Sequence, residues 1–183
     1  MGDQSDFAGR DRAALRKHLT SYWRMEAGNV LIMPIFGAIV LNQFDDAPNR
    51  ATWLAIAACC LLLVIGAAAW KLALARLDGE DRLAEQLTAA CARAQWPSLA
   101  LVIVASAATV LDVTQRGWPP HTIAAVGFTL LGWLEYVNYY HVQLQNFDST
   151  IDFKRLLSGR GLRRAHLGRA VRKWRAERGR ARG

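Results

Sequence analysis

The sequence predicts an all-α, four-helix transmembrane bundle with both termini on the cytoplasmic side and a basic amphipathic C-terminal helix. Three observations predict it. Four stretches are almost free of charge, Lys and Arg gather on alternate connections between them, and the net positive charge sits in the residues after 147. Hydrophobic residues make up 52% of the 183, yet the mean hydropathy is only +0.07. The apolar residues must therefore come in blocks separated by strongly polar segments.

Crossing a bilayer core takes roughly 20 apolar residues of helix. The four spans are expected at about 27–44, 52–74, 98–113 and 122–142. The second, with the run AIAACCLLLVIGAAAW, is apolar on every side, as a fully buried or membrane helix must be. The first begins too far into the chain, and lacks the small-residue cleavage pattern, to be a removable signal peptide. Asp6 stands where an N-myristoylation signal needs Ser or Thr. The three cysteines, Cys59, Cys60 and Cys91, make no disulfide framework and read as small packed hydrophobes.

Lys and Arg mark the side retained in the cytoplasm. Twenty-one of them precede span one, join spans two and three, or follow span four, whereas only Arg50 and Arg116 lie on the other two connections. These two connections, FDDAPNR and QRGWPPH, are short and rich in turn residues. Trp53, Trp96, Trp118 and Trp133 are placed to supply an interfacial aromatic belt. The chain divides into a partly helical cytoplasmic segment 1–24, a bundle 25–145 with a cytoplasmic helical hairpin at 75–96, and a basic cytoplasmic tail 146–183. Within the first segment, Leu15, Leu19 and Tyr22 share a helical face that suits a membrane surface.

Ionisable residues inside a membrane are costly and mark function or specific packing. Glu135 lies inside the fourth span, and at helical spacing Asn138, His141, Val142 and Gln145 share its stripe. The opposite side, Trp133, Tyr136 and Tyr140, is expected to face lipid. Glu26 and Asn29 of span one enter at the same membrane level, so Glu26, Asn29, Glu135, Asn138 and His141 are the candidate ligand or ion residues. Between helices the same side chains also serve as packing hydrogen bonds. Pro34 is expected to free a backbone carbonyl near Val30.

No His-x-x-x-His, Glu-x-x-His, Cys-x-x-Cys, phosphate-binding glycine loop or Gly-x-Ser-x-Gly occurs. No catalytic residue, metal site or cofactor is predicted, and the non-enzymatic reading is preferred over a membrane enzyme.

From Asp148 onward there are twelve basic and three acidic residues, a local charge of +9 against +8 for the whole chain. Ser149 or Thr150 can cap a first tail helix. A second is expected from about 162 to 175, with Leu167, Val171 and Trp174 on one side, and the final RGRARG is expected to be disordered. Arg163, Arg164, Arg169, Arg172, Lys173 and Trp174 are the expected contacts to anionic lipid headgroups, each cation near such a surface contributing about 1 kcal/mol. Nucleic acid is disfavoured as a partner because the helix offers one Trp and no stacking platform. A homo-oligomer or a protein partner are the other partner classes.

The Ala, Arg and Leu-rich composition points to a bacterium. The leading expectation is thus a multi-pass scaffold or partner-binding protein of the bacterial cytoplasmic membrane. The alternative is a small oligomeric transporter or channel using the Glu/Asn/His cluster, and a membrane-embedded enzyme comes third.

Overall fold

In the computed structural model, residues 3–144 and 164–180 are described, with side chains described from residue 12. Among the described residues there are five helices and no strand: α1 (Asp3–Asn42), α2 (Arg50–Asp78), α3 (Asp81–Arg116), α4 (Pro120–Tyr140) and α5 (His166–Arg180). Val142 and Arg164 form an isolated antiparallel bridge that brings the chain back to the bundle. Three helical stretches, Arg12–Asn42, Arg50–Asp78 and Asp81–Arg116, are long and apolar enough to cross a membrane.

The first segment and the first span are one helix. No turn residue interrupts the sequence near residue 24, so α1 continues through it for 40 residues. Its start is tied to the end of α2, where the Arg12 guanidinium donates to the Leu77 carbonyl and Arg16 pairs with Asp78 at 3.2 Å. Pro34 cannot donate to Val30, and the freed Val30 carbonyl accepts the Cys60 thiol of α2 at 3.5 Å.

The most apolar of these three candidate spans, α2, packs against α1, α3 and α4. Ala55, Cys59 and Leu62 on it are wholly buried. Asn49 caps its start by accepting the Thr52 N–H at 3.0 Å. Its end is set by Gly79, whose φ of 77° is the left-handed conformation that glycine adopts without penalty. Two residues later α3 begins, so the expected hairpin at 75–96 is a tight α2–α3 turn followed by unbroken helix. Pro97 lies inside α3 rather than before it.

Along α3 and α4 the polar contacts run from one end of the bundle to the other. Thr122 donates to Asp112 at 2.6 Å, Thr109 and Thr129 pair at 3.0 Å, Trp133 donates to Ser106 at 2.9 Å, and Tyr140 donates to the Cys91 carbonyl at 2.9 Å. This corrects the face assignment of α4. Tyr136 and Tyr140 are buried, at 4% and 2% exposure, and Trp133 turns toward α3. Tyrosine hydroxyls and indole N–H groups need partners, and the neighbouring helix supplies them. Trp53, Trp96 and Trp118 are exposed, as an interfacial belt requires.

The tail's second helix, α5, runs five residues further than expected, through Arg178–Arg180, so the end of the chain is helical to that point. The first tail helix expected near Ser149 falls outside the described residues. Leu167, Ala170 and Val171 of α5 join the hydrophobic core beside Tyr140, Cys91 and Ala92, and Trp174 packs against the edge of that core. Arg175 donates to the Ala92 carbonyl at 2.9 Å and Arg178 reaches Glu85 at 3.9 Å. Full burial of a side chain the size of Leu or Val contributes about 1.5–3 kcal/mol, so this contact is enough to hold a short helix in place.

Gly168 is the closest point of that contact. A Cβ there would stand 2.2 Å from the Tyr140 carbonyl oxygen, which is backbone and cannot swing aside. Gly168→Ala should therefore loosen α5, at a cost of about 1–3 kcal/mol for overpacking. Limited trypsin digestion would read it as faster cleavage at Arg172 and Lys173. Gly179→Ala, where a Cβ meets nothing within 4 Å, should leave the rate unchanged.

Candidate functional site

The predicted polar residues of the first and fourth spans meet through a residue that the sequence reading did not include. Tyr139 donates its hydroxyl to Glu26 Oε1 at 3.0 Å. Both are buried, Glu26 at 3% exposure and Tyr139 at 6%. Glu135 lies one turn before Tyr139 on α4, within electrostatic reach of Glu26 and within hydrogen-bonding reach of Tyr139 and Asn138. One of its carboxyl oxygens, Oε2, is buried without a partner. The Trp70 indole N–H of α2 approaches Glu26 without closing a hydrogen bond.

α1 and α4 touch only sparsely, and α2 lies between them. Tyr139 crosses that gap over Gly66. A Cβ at position 66 would stand 2.1 Å from the Tyr139 hydroxyl, so only glycine leaves room for it. The signal available in the sequence was the spacing: Tyr139 is four residues after Glu135 and shares its helical face.

The remaining predicted residues have other positions. Asn138 is buried and its Oδ1 accepts the Leu144 N–H at 2.8 Å, closing the turn that ends α4. Asn29 is half-buried one turn along α1 from Glu26. His141 is exposed, caps the end of α4, and stacks near Tyr136 with ring centroids 5.6 Å apart. The structure thus joins Glu26 to Tyr139, with Glu135 and Asn138 beside them, and leaves His141 outside. The arrangement positions two carboxyl groups around a single hydroxyl donor. Among the described residues, no group of three or more His, Cys, Asp or Glu side chains is arranged to hold a metal ion.

Of the expected lipid contacts, Arg164, Arg169, Arg172 and Lys173 are exposed, Trp174 is half-buried, and Arg163 falls outside the described residues. The Arg178 guanidinium covers the Trp174 ring at 4.5 Å, which leaves cations as the outer face of α5.

A second polar cluster closes the opposite end of the bundle, and the sequence reading had no counterpart for it. Asp46, in the α1–α2 connection, accepts the His121 ring Nδ1 at 2.7 Å and the His121 backbone N–H at 3.0 Å. Asp112 of α3 accepts both Asn49 and Thr122 and lies 3.6 Å from Arg116. The two connections are thereby pinned to each other and to α3. Desolvation would raise the Asp46 carboxyl, but the hydrogen bonds from His121 and from the Ala47 N–H outweigh it and hold Asp46 below the ordinary aspartate range.

No family model matches the chain, and no curated protein or solved structure matches it either.

Two predictions follow from these clusters. Gly66→Ala should expel the Tyr139 hydroxyl and leave Glu26 buried without its donor, and Tyr139→Phe should reproduce the second effect alone. An unsatisfied buried group costs about 1–3 kcal/mol, more for a charged one. Thermal unfolding in detergent should rank the proteins wild type, then Tyr139→Phe, then Gly66→Ala, and equal midpoints would contradict the assignment. For Asp46, a carboxyl depressed in the folded state stabilises fully above its unfolded value, about 3.9, and loses that contribution as pH falls toward its folded value. The wild type should therefore lose thermal stability below about pH 4 more steeply than Asp46→Asn.

Proposed function

We propose that this protein is a non-enzymatic, multi-pass protein of the bacterial cytoplasmic membrane. In this reading all four long helices cross, both termini are cytoplasmic, and α5 is a basic platform at the membrane surface that binds anionic lipid headgroups and offers itself to a partner.

The fourth crossing is supported by the length over which α4 accompanies α3. Thr122 bonds to Asp112 and Tyr140 bonds to the Cys91 carbonyl, so α4 spans the 91–112 stretch of its neighbour. That stretch is about 31 Å at 1.5 Å per residue, the thickness of a bilayer core. The polar residues that lower the hydropathy of α4 turn inward, while Ile123, Leu130 and Leu134 are exposed. The start of α1, the end of α2 and α5 then share one end of the bundle, the end that carries most of the basic residues.

The observation that carries the platform reading is the docking of α5. Its apolar side is taken up by α3 and α4, which holds Arg164, Arg172 and Lys173 outward at the rim of the bundle. Fixed cations attract an anionic surface without paying again to order the helix. This differs from a free interfacial helix, which would sink the same apolar stripe into lipid.

Two measurements test the reading. A reporter active only outside the cytoplasm, fused after Gly183, should stay silent, and strong activity would overturn the topology. With the protein in lipid nanodiscs, trypsin should cut at Arg172 and Lys173 several-fold more slowly in anionic than in zwitterionic bilayers. Equal rates would remove the platform.

A further inference from the structure

One cavity lies between the start of α1, the end of α2, the end of α4 and the start of α5. Its volume is about 520 Å³, within the range of pockets that hold small molecules. Its walls are Leu15, Leu19, Ala73 and Leu77, and Trp70 and Tyr139 line it beside the buried Glu26. Arg76, His166 and Arg169 stand at the same cavity. Among the described residues no carboxylate pairs with Arg76 or Arg169, although other cations at this end, Arg16 and Arg178, have acidic partners. Leu15 is both a wall of the cavity and 47% exposed, so the cavity opens sideways along α1.

We infer that this cavity binds one anionic phospholipid from the surrounding leaflet, its phosphate between Arg76 and Arg169 and an acyl chain along the α1–α2 wall. Two arginines with no carboxylate partner among the described residues, beside an apolar slot, match an anion joined to a hydrocarbon chain, and neither half of the site would suit a neutral lipid or a fully polar anion as well. The long helices favour lipid as the source. α2 has 29 residues, about 43 Å, and outruns the bilayer core, so its last turns and the cavity they line fall at headgroup level. His166 is at the same mouth and is exposed. Desolvation, then the charges of Arg76 on α2 and Arg169 on α5, lower its affinity for a proton.

The site rests on the membrane reading above but is separate from the outer face of α5, and the two can be told apart. Native mass spectrometry of the full chain in detergent, titrated with phosphatidylglycerol or phosphatidylcholine, should show one tightly held phosphatidylglycerol and no comparable phosphatidylcholine. Arg76→Gln with Arg169→Gln should weaken that first binding by about tenfold or more. Ala73→Phe, which fills the slot and alters no charge, should weaken it as well. Arg172→Gln with Lys173→Gln, on the outer face, should leave the first lipid bound and reduce only further ones. The inference fails if phosphatidylcholine binds equally, or if the first lipid survives the Arg76 and Arg169 changes. Its loss only on changing Arg172 and Lys173 would also overturn the cavity, while leaving the platform intact. Should Ala73→Phe not fold, as judged by circular dichroism, the arginine pair decides. Displacement of the lipid by inorganic phosphate alone would show that the slot contributes nothing, and would overturn the inference too.

Discussion

The packing of α2 against three neighbours is the contact on which the other features depend. α1 and α4 barely meet, and what joins them passes over α2. Small residues on that helix, Ala55, Ala58, Cys59 and Gly66, let the others approach closely. In a bilayer there is little hydrophobic drive between helices, so close packing and interhelical hydrogen bonds carry the association. The Tyr139–Glu26 bond is an example of both: it needs the hydroxyl, the carboxyl and the empty space at Gly66 together.

The backbone carbonyl freed by Pro34 is met from a neighbouring helix. At Pro34 the Val30 carbonyl takes the Cys60 thiol. On α3, the carbonyls of Cys91 and Ala92 take the Tyr140 hydroxyl and the Arg175 guanidinium in addition to their place in the helix. An unpaired carbonyl away from water costs several kcal/mol in hydrocarbon, so a proline in a span implies a donor nearby. The Arg175 donor comes from the tail and helps to bind α5 to α3.

The two ends of the bundle are built differently. At one, short connections are locked by Asp46, His121, Asn49 and Asp112, a network of short hydrogen bonds. At the other, long helix ends and α5 enclose a cavity with cations around it. The first end reads as structural closure. The second combines an opening, positive charge and the nearby buried carboxyls.

The sequence by itself determined that the chain is helical and that at least its first three long segments are apolar enough to cross a membrane. Block hydropathy and charge are local properties, written in consecutive residues. It also marked Glu26, Glu135 and Asn138 as unusual, and Pro34 as a source of a free carbonyl, because the cost of a buried charge or a missing N–H does not depend on the partner's identity. What only the tertiary structure decided was which groups meet those needs. Tyr139 rather than His141 joins Glu26, because the end of α4 turns its histidine out to solvent. Tyr136, Tyr140 and Trp133 face protein rather than lipid, because α3 offers acceptors at their level. The apolar stripe of α5 rests on the bundle for a similar reason: Gly168 fits against the Tyr140 carbonyl, and such a fit between distant segments leaves no periodic trace in the sequence.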